Sequence, residues 1–261
     1  MRWGLNQINV FEMAAPKKAI ILVAGPGTRL RPVTDNTPKC LIKLNDRPIL
    51  VNALEILEKV GIEEVILVIG YLGEMIKEAI GQNVGKMKIN YVENKIFDKT
   101  NNSYSLWLSV KDLDEPLLIL EGDVFFEDNL LEEFMQDPRE DLTIVEKYNP
   151  DLDGTFVDID SNNLVLSWTH KKNRPKNFKI ENKYKTVNIH KVSSKFLIRW
   201  LKPTLKKLVD ETGGKEPIET MFKDIIEKGG KINTFHTKGM KWFEIDDIKD
   251  LKKAKEIFKH V

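Results

Sequence analysis

The stretch AIILVAGPGTRLRPVTDNTPK, Ala19 to Lys39, constrains this chain more than any other. An apolar run from Ala19 to Ala24 breaks at Gly25-Pro26-Gly27 and passes at once into Thr28, Arg29, Leu30, Arg31 and Pro32. This is the pattern of a buried strand opening into a tight loop. Such a loop suits phosphate. Glycines let the backbone approach an anion, free N–H groups can point at it, and arginine offers a fork of donors that matches phosphate oxygens. Lys39 adds a compact point charge ten residues after Arg29.

Two common phosphate loops do not fit. A dinucleotide fingerprint needs a third glycine where Leu30 stands, and a Walker loop needs a Gly-Lys-Ser/Thr unit where the chain has Gly27-Thr28-Arg29. The pattern G-x-G-T-R-L-R-P followed by P-K, carried by Gly25, Gly27, Thr28, Arg29, Leu30, Arg31, Pro32, Pro38 and Lys39, instead resembles the signature of the sugar-phosphate nucleotidyltransferases. Pro26 departs from a loop built for N–H donation, because it has no N–H to give.

The remaining chain bounds the fold. After the loop, Cys40 to Leu44 reads as a short strand, Ile49 to Val60 as an amphipathic helix ended by Gly61, and Glu64 to Ile69 as a strand covered on both faces. A helix over Glu74 to Ile80, a strand over Lys88 to Val92, a helix over Ser103 to Val110 and a strand over Pro116 to Leu120 follow. Strand and helix alternate at short intervals, which predicts an α/β fold: a Rossmann-like, doubly wound, mostly parallel sheet with ligand sites at strand C-terminal ends. From Asp141 the texture changes to hairpin-like strands, Leu142 to Tyr148, Thr155 to Asp160 and Leu164 to His170, predicting an added α+β lobe. Thr186 to Val192 and Lys231 to Phe235 then read as strands; Lys195 to Glu211, Pro217 to Lys228 and Ile248 to Lys259 read as helices. The expected organisation is an N-terminal extension over 1–16 and a single domain over 17–261, its nucleotide-binding part 17–140 and its acceptor-binding and closing part 141–261.

Composition excludes several classes. Lys and Arg number 41 against 40 Asp and Glu, so no strong overall field argues for nucleic acid as a partner. No apolar run approaches the ~20 residues needed to span a bilayer, so membrane insertion is not expected. The single cysteine, Cys40, rules out an internal disulfide and a cysteine metal cluster and suits a cytoplasmic protein. Between Thr169 and Thr186 seven Lys or Arg stand against one Glu, a solvated loop or a phosphate-facing flap.

The resemblance implies the chemistry. The strand-then-Gly122-Asp123 unit and the Trp242-x-Glu244-Ile245-Asp246 unit look like the two metal-binding aspartates of the family, so Asp123 and Asp246 are the implied metal ligands. Two hard carboxylates suit Mg²⁺. The implied reaction moves a nucleotidyl group from a nucleoside triphosphate to a small phosphorylated acceptor with release of pyrophosphate; Arg29, Lys39 and Asp123 are the implied catalytic residues. Asn101-Asn102-Ser103-Tyr104-Ser105-Leu106 likens the chain to the choline-phosphate, aminoethylphosphonate and inositol-1-phosphate cytidylyltransferases, which makes CTP the expected donor, with UTP and dTTP the alternatives. Ala24, Gly25, Gly27, Thr28, Asn102 and Ser103 are the implied nucleotide contacts, although Asn102 and Ser103 read equally as a helix cap and its neighbour. Trp168, Asn188 and Glu244 are the acceptor-binding candidates. A cationic acceptor would draw on Trp107, Tyr148, Trp168 and Tyr184, and a polyol on Asp158, Asp160 and Asn188. Glu244 could instead orient a metal shell or pair with a lysine. Rival readings are a non-catalytic regulatory subunit, which would be expected to lose the charged residues kept here, and a glycosyltransferase using Asp158-Ile159-Asp160 as a D-x-D motif. Oligomeric state is open, with a homo-oligomer among the expectations.

Overall fold

The computed structural model describes residues 15–259. The expected extension over 1–16 lies outside the described residues except for its last two.

Four strands form the parallel centre: β1 (Lys18–Leu22), β4 (Glu64–Ile69), β6 (Met87–Glu93) and β7 (Leu117–Glu121). β1 lies between β4 and β7, and β6 lies outside β4. In β1, β4 and β7 the β-branched and leucine side chains are buried on both faces, as continuous apolar runs require, while the outer β6 is half-buried. Helices α1 (Ile49–Lys59), α2 (Gly73–Ile80) and α3 (Asn102–Val110) connect them. Cys40 to Leu44 is a correction: Lys39–Leu41 forms a 3-10 turn, and only β2 (Lys43–Leu44) pairs, with β3 (Arg47–Pro48). The two-residue link Asn45-Asp46, with Asn45 at φ 53°, leaves room for no longer hairpin. β5 (Asn83–Val84) closes the edge beside β6.

The later strands join the same sheet antiparallel. β12 (Tyr184–Val192) pairs with β7, with β9 (Leu142–Lys147) and with β10 (Phe156–Ile159), while β11 (Val165–Thr169) extends β10 and β13 (Asn233–His236) runs parallel to β9. A ten-stranded sheet therefore runs through both halves of the chain. The expected helix over Lys195 to Glu211 is composite: α5 (Ser194–Phe196), a π turn over Leu197–Leu201, and α6 (Lys202–Thr212). α4 (Asp128–Gln136), α7 (Ile218–Glu227) and α8 (Ile248–Ile257) complete the layers. Among the described residues no helix is long and apolar enough to cross a membrane.

A small second sheet decides the site. β8 (Val124–Phe126), not anticipated from the sequence, pairs antiparallel with β14 (Trp242–Glu244), setting Glu244 opposite Val124. The Ile245 N–H also donates to the Asp123 carbonyl at 2.9 Å. Segments 122 residues apart in sequence are thus stitched together at the C-terminal ends of β1 and β7.

Candidate active site

A cleft of about 630 Å³ opens at those strand ends. Its floor is the turn from β1 into the glycine loop. Gly27 adopts a left-handed φ of 58°, and a Cβ there would stand 3.0 Å from Cβ of Lys39. The buried Thr34 hydroxyl donates to the Gly27 carbonyl at 2.9 Å and fixes the bend. No α-helix follows the loop; Thr28–Leu30 is a single 3-10 turn, so the donors on offer are loop N–H groups and side chains rather than a helix terminus.

Lys39 reaches across the cleft floor. Its Nζ donates to Asp123 Oδ2 at 2.8 Å and to Asp246 Oδ1 at 3.0 Å, and Arg29 Nη2 stands 2.7 Å from that same Asp246 oxygen. Burial alone would lower the Lys39 pKa, but the two carboxylates outweigh it and hold the ammonium charged above its ordinary range. Burial likewise pushes the Asp246 carboxyl up, and Lys39 and Arg29 reverse this, leaving it below the usual carboxylate range. Asp246 is anchored from behind: its N–H and that of Asp247 both donate to Asp250 Oδ2 at 3.0 Å, within a capping box that starts α8.

Asp123, Glu244 and Asp246 each offer an oxygen, the three lying within 4.8 Å of one another. Asp123 Oδ1 is buried without a hydrogen-bond partner among the described residues, so an acceptor already stripped of water stands ready for a cation. All-oxygen donors fit a hard divalent ion such as Mg²⁺.

The far side of the cleft is a second charged group, in which Glu244 and Asn188 were expected from sequence and Lys185, Glu121 and Glu219 were not. Lys185 is 2% exposed; its Nζ lies 2.8 Å from Glu244 Oε2 and donates to the Thr186 carbonyl at 2.6 Å. Asn188 donates to Glu244 Oε1 at 3.2 Å. It does so from a left-handed backbone at φ 63°, where the β9–β12 register shifts, an irregularity that re-aims side chains out of the sheet. Burial raises the Glu244 carboxyl; Lys185 opposes this, and Asp123 and Asp246 add to it. Glu121 is raised well above the carboxylate range, first by burial and then by the carboxylates of Glu219, Asp123 and Glu244. The hints for these residues were slight: Glu121 directly precedes Gly122-Asp123, and Lys185 directly precedes the expected strand Thr186 to Val192.

Of the residues expected from sequence, Ala24, Gly25, Gly27, Thr28, Arg29, Lys39, Asn102, Asp123, Asn188, Glu244 and Asp246 all line the cleft. Ser103 and Trp168 are corrections. Ser103 is fully buried and donates to the Glu216 carbonyl; one helical turn brings Ser105, not Ser103, to the face shared with Asn102. Trp168 is core, stacked on Phe222 with ring centres 4.6 Å apart. Trp107 packs against the same core, Tyr148 packs edge-on against Phe156, and Tyr184 packs against His236. No aromatic cage therefore forms from them. Asp158 is tied to Lys183 and Ser167, and Asp160 caps a turn, so the D-x-D pattern is a hairpin feature. The Asn102 amide is engaged at both ends, donating to Glu121 Oε1 at 3.1 Å and accepting from the Ile218 N–H at 2.9 Å. From the basic run, Lys171, Lys172 and Lys185 line the cleft, the first two at exposed positions. Burial pushes the Cys40 thiol up to about 12, which makes it a packing group rather than a nucleophile.

A glycine loop, two convergent aspartates and a mostly parallel sheet define a protein that handles nucleoside phosphates on an α/β fold. The chain belongs to the nucleotidyl transferase family, whose sequence pattern matches residues 18–260. It is 31% identical over 242 residues to the CMP-5'-(3-aminopropyl)phosphonate synthase of Streptomyces rubellomurinus, covering 92% of this chain and 38% of that much longer relative. It is 27% identical over 256 residues to the choline-phosphate cytidylyltransferase of Streptococcus pneumoniae, covering 93% of this chain and 99% of the relative. The solved CTP:phosphocholine cytidylyltransferase from Streptococcus pneumoniae superposes with a TM-score of 0.76 at 25% identity, over 92% of this chain and 98% of that one. The inositol-1-phosphate CTP transferase from T. maritima shares the fold with a TM-score of 0.74 at 23% identity, over 95% and 96% of the two chains.

Proposed function

We propose that this protein is a cytidylyltransferase that transfers CMP from CTP to a small phosphorylated or phosphonylated alcohol or amine, with release of pyrophosphate. The observation that carries the reading is the convergence of Lys39 and Arg29, from the signature loop, on Asp123 and Asp246, from its two distant partners. The likeness to relatives named for CMP and choline-phosphate transfer supports CTP as the donor.

The chain's residues have chemically coherent tasks in this reaction. A phosphate monoester has a second pKa of ~6, so the acceptor arrives mostly dianionic at pH 7 and needs no general base. Catalysis then rests on positioning and charge neutralisation. The loop N–H groups of Gly25 and Gly27 and the Arg29 guanidinium hold the departing pyrophosphate. Lys39, freed from the carboxylates, offsets charge that builds on the α-phosphate. Asp123 and Asp246, with Glu244 beside them, would hold Mg²⁺, which when bound polarises phosphoryl oxygens and screens acceptor from donor. Lys171 and Lys172 on the flap answer the acceptor's phosphoryl charge. The protein works as a cytoplasmic enzyme in this reading.

Pyrophosphate release, measured over the four nucleoside triphosphates against a panel of phosphocholine, inositol 1-phosphate, 2-aminoethylphosphonate and glucose 1-phosphate, tests the reading. Turnover that needs CTP and a divalent ion, and that falls at least about 10²-fold in Asp123→Asn, is the expected result. Silence with every pair would favour a non-catalytic subunit of the same fold.

A further inference from the structure

We infer that the acceptor carries a primary ammonium group, bound by the Glu219 carboxylate with the Glu121 carboxyl group beside it; this rests on the transferase reading above and narrows its acceptor. The two ends of the cleft differ in charge. At the loop end, Arg29 and Lys39 answer Asp123 and Asp246 one for one. At the other end the carboxyl groups of Glu121, Glu219 and Glu244 stand around the cleft with one buried ammonium, Lys185, which pairs with Glu244 at 2.8 Å; Lys171 and Lys172 line the same wall from exposed positions. Glu121 and Glu219 are held by neutral donors: Asn102 Nδ2 serves Glu121 at 3.1 Å, and the buried Thr155 hydroxyl serves Glu219 Oε1 at 3.1 Å. His170 lines the same wall, but burial lowers its pKa and disfavours the imidazolium that could pair with Glu219. Lys171, its neighbour, leans 3.8 Å from Asp153.

The independent sign of a missing partner is Glu219 Oε2. Among the described residues this oxygen is shut off from solvent and accepts no hydrogen bond. A buried carboxylate oxygen without a donor is costly, and a ligand that brings N–H groups and positive charge relieves both deficits at once. A primary ammonium has three donors to share between two carboxyl groups. A quaternary ammonium has none and is bound by aromatic faces, which this end of the cleft lacks. Among the described residues Phe97 is the one phenyl ring in the lining, and it packs edge-on against Tyr71 on the phosphate-loop side. A polyol offers hydroxyl donors but leaves the carboxylate charge uncompensated. The acceptor is therefore a short aminoalkyl phosphate or phosphonate.

Steady-state kinetics with CTP separate the outcomes. The amine acceptors 2-aminoethyl phosphate and 2-aminoethylphosphonate are compared with phosphocholine, inositol 1-phosphate and 2-hydroxyethylphosphonate. Both amines should exceed the three acceptors that lack a primary amine by about tenfold or more in kcat/KM, the value of one charge-assisted hydrogen bond. A preference confined to one of the two assigns phosphate or phosphonate. Glu219→Gln should raise KM for the amine about tenfold while KM for CTP holds. Equal efficiency for inositol 1-phosphate or phosphocholine, or an unmoved acceptor KM in a folded Glu219→Gln, overturns the inference and leaves the transferase reading standing. No pyrophosphate release with any acceptor removes both. Should Glu219→Gln fail to fold, the wild-type comparison decides.

Discussion

At the scale of single residues, the site depends on places where no side chain fits. Gly122 is the clearest. A Cβ there would come 2.2 Å from Val23 Cγ1 and 2.9 Å from the Leu22 carbonyl, while the Gly122 N–H donates to that carbonyl at 3.0 Å. The glycine lets β7 press against the end of β1, which aims Asp123 at Lys39. Gly122→Ala must push one strand end away from the other, at a cost of about 1–3 kcal/mol. A shift of ~1 Å in Asp123 would lower kcat about 10²-fold. Denaturant unfolding and kcat measured side by side test this: if both match wild type, the close approach is not what orients Asp123. The glycine was visible in the sequence as part of Glu121-Gly122-Asp123, but its reason was not, because Val23 and Leu22 belong to another strand.

At the scale of elements, β8 and β14 bring the two aspartates together, and the start of α8 holds the second one in place. Asp250 sits at the third position of α8, and its carboxylate accepts from the N–H groups of both Asp246 and Asp247. Asp250→Ala removes half of the capping box and should cost about 1 kcal/mol of stability. It should also weaken divalent-ion binding about tenfold or more by loosening the backbone under Asp246. Titration calorimetry with Mg²⁺ or Mn²⁺ alone reads the second effect; an unchanged affinity in a destabilised variant would reduce Asp250 to a helix cap. The buried parallel strands and amphipathic helices were legible because each is a local pattern of 5 to 11 residues. β8 was not, since three residues after a Gly-Asp pair show no periodicity and their partner strand lies over a hundred residues later.

At the scale of the whole molecule, β12 joins the parallel centre to the later strands, and it carries the cleft residues Lys185 and Asn188 as well as a buried histidine. The loop side of the site was the most legible beforehand, with Asp123, Asp246, Glu244, Asn188 and Asn102 also named in advance. Its residues lie in one compact motif, whereas Glu121, Lys185 and Glu219 come from three elements, each ordinary in its own sequence context. The same join controls the response to acid. His190 is 3% exposed, packed against both Trp168 and Phe222, with Nδ1 3.0 Å from the Thr143 hydroxyl. Burial first, then Lys185, lowers its pKa from 6.5 to about 3. The unfolded chain therefore binds a proton below pH 6.5 that the folded chain refuses until about pH 3, and stability falls as pH drops through that window. At pH 5 the loss from this residue alone is about 2 kcal/mol relative to pH 7. Carboxylates also titrate in this range, so the wild type must be compared with His190→Gln, which keeps a polar partner for Thr143 but cannot charge. Urea unfolding at pH 7 and pH 5 should show the variant losing about 2 kcal/mol less than wild type between the two conditions, whatever its absolute stability. Equal losses in both proteins would mean that the imidazole is protonated in the folded state, and that the packing of β12 against α7 is looser than these contacts require.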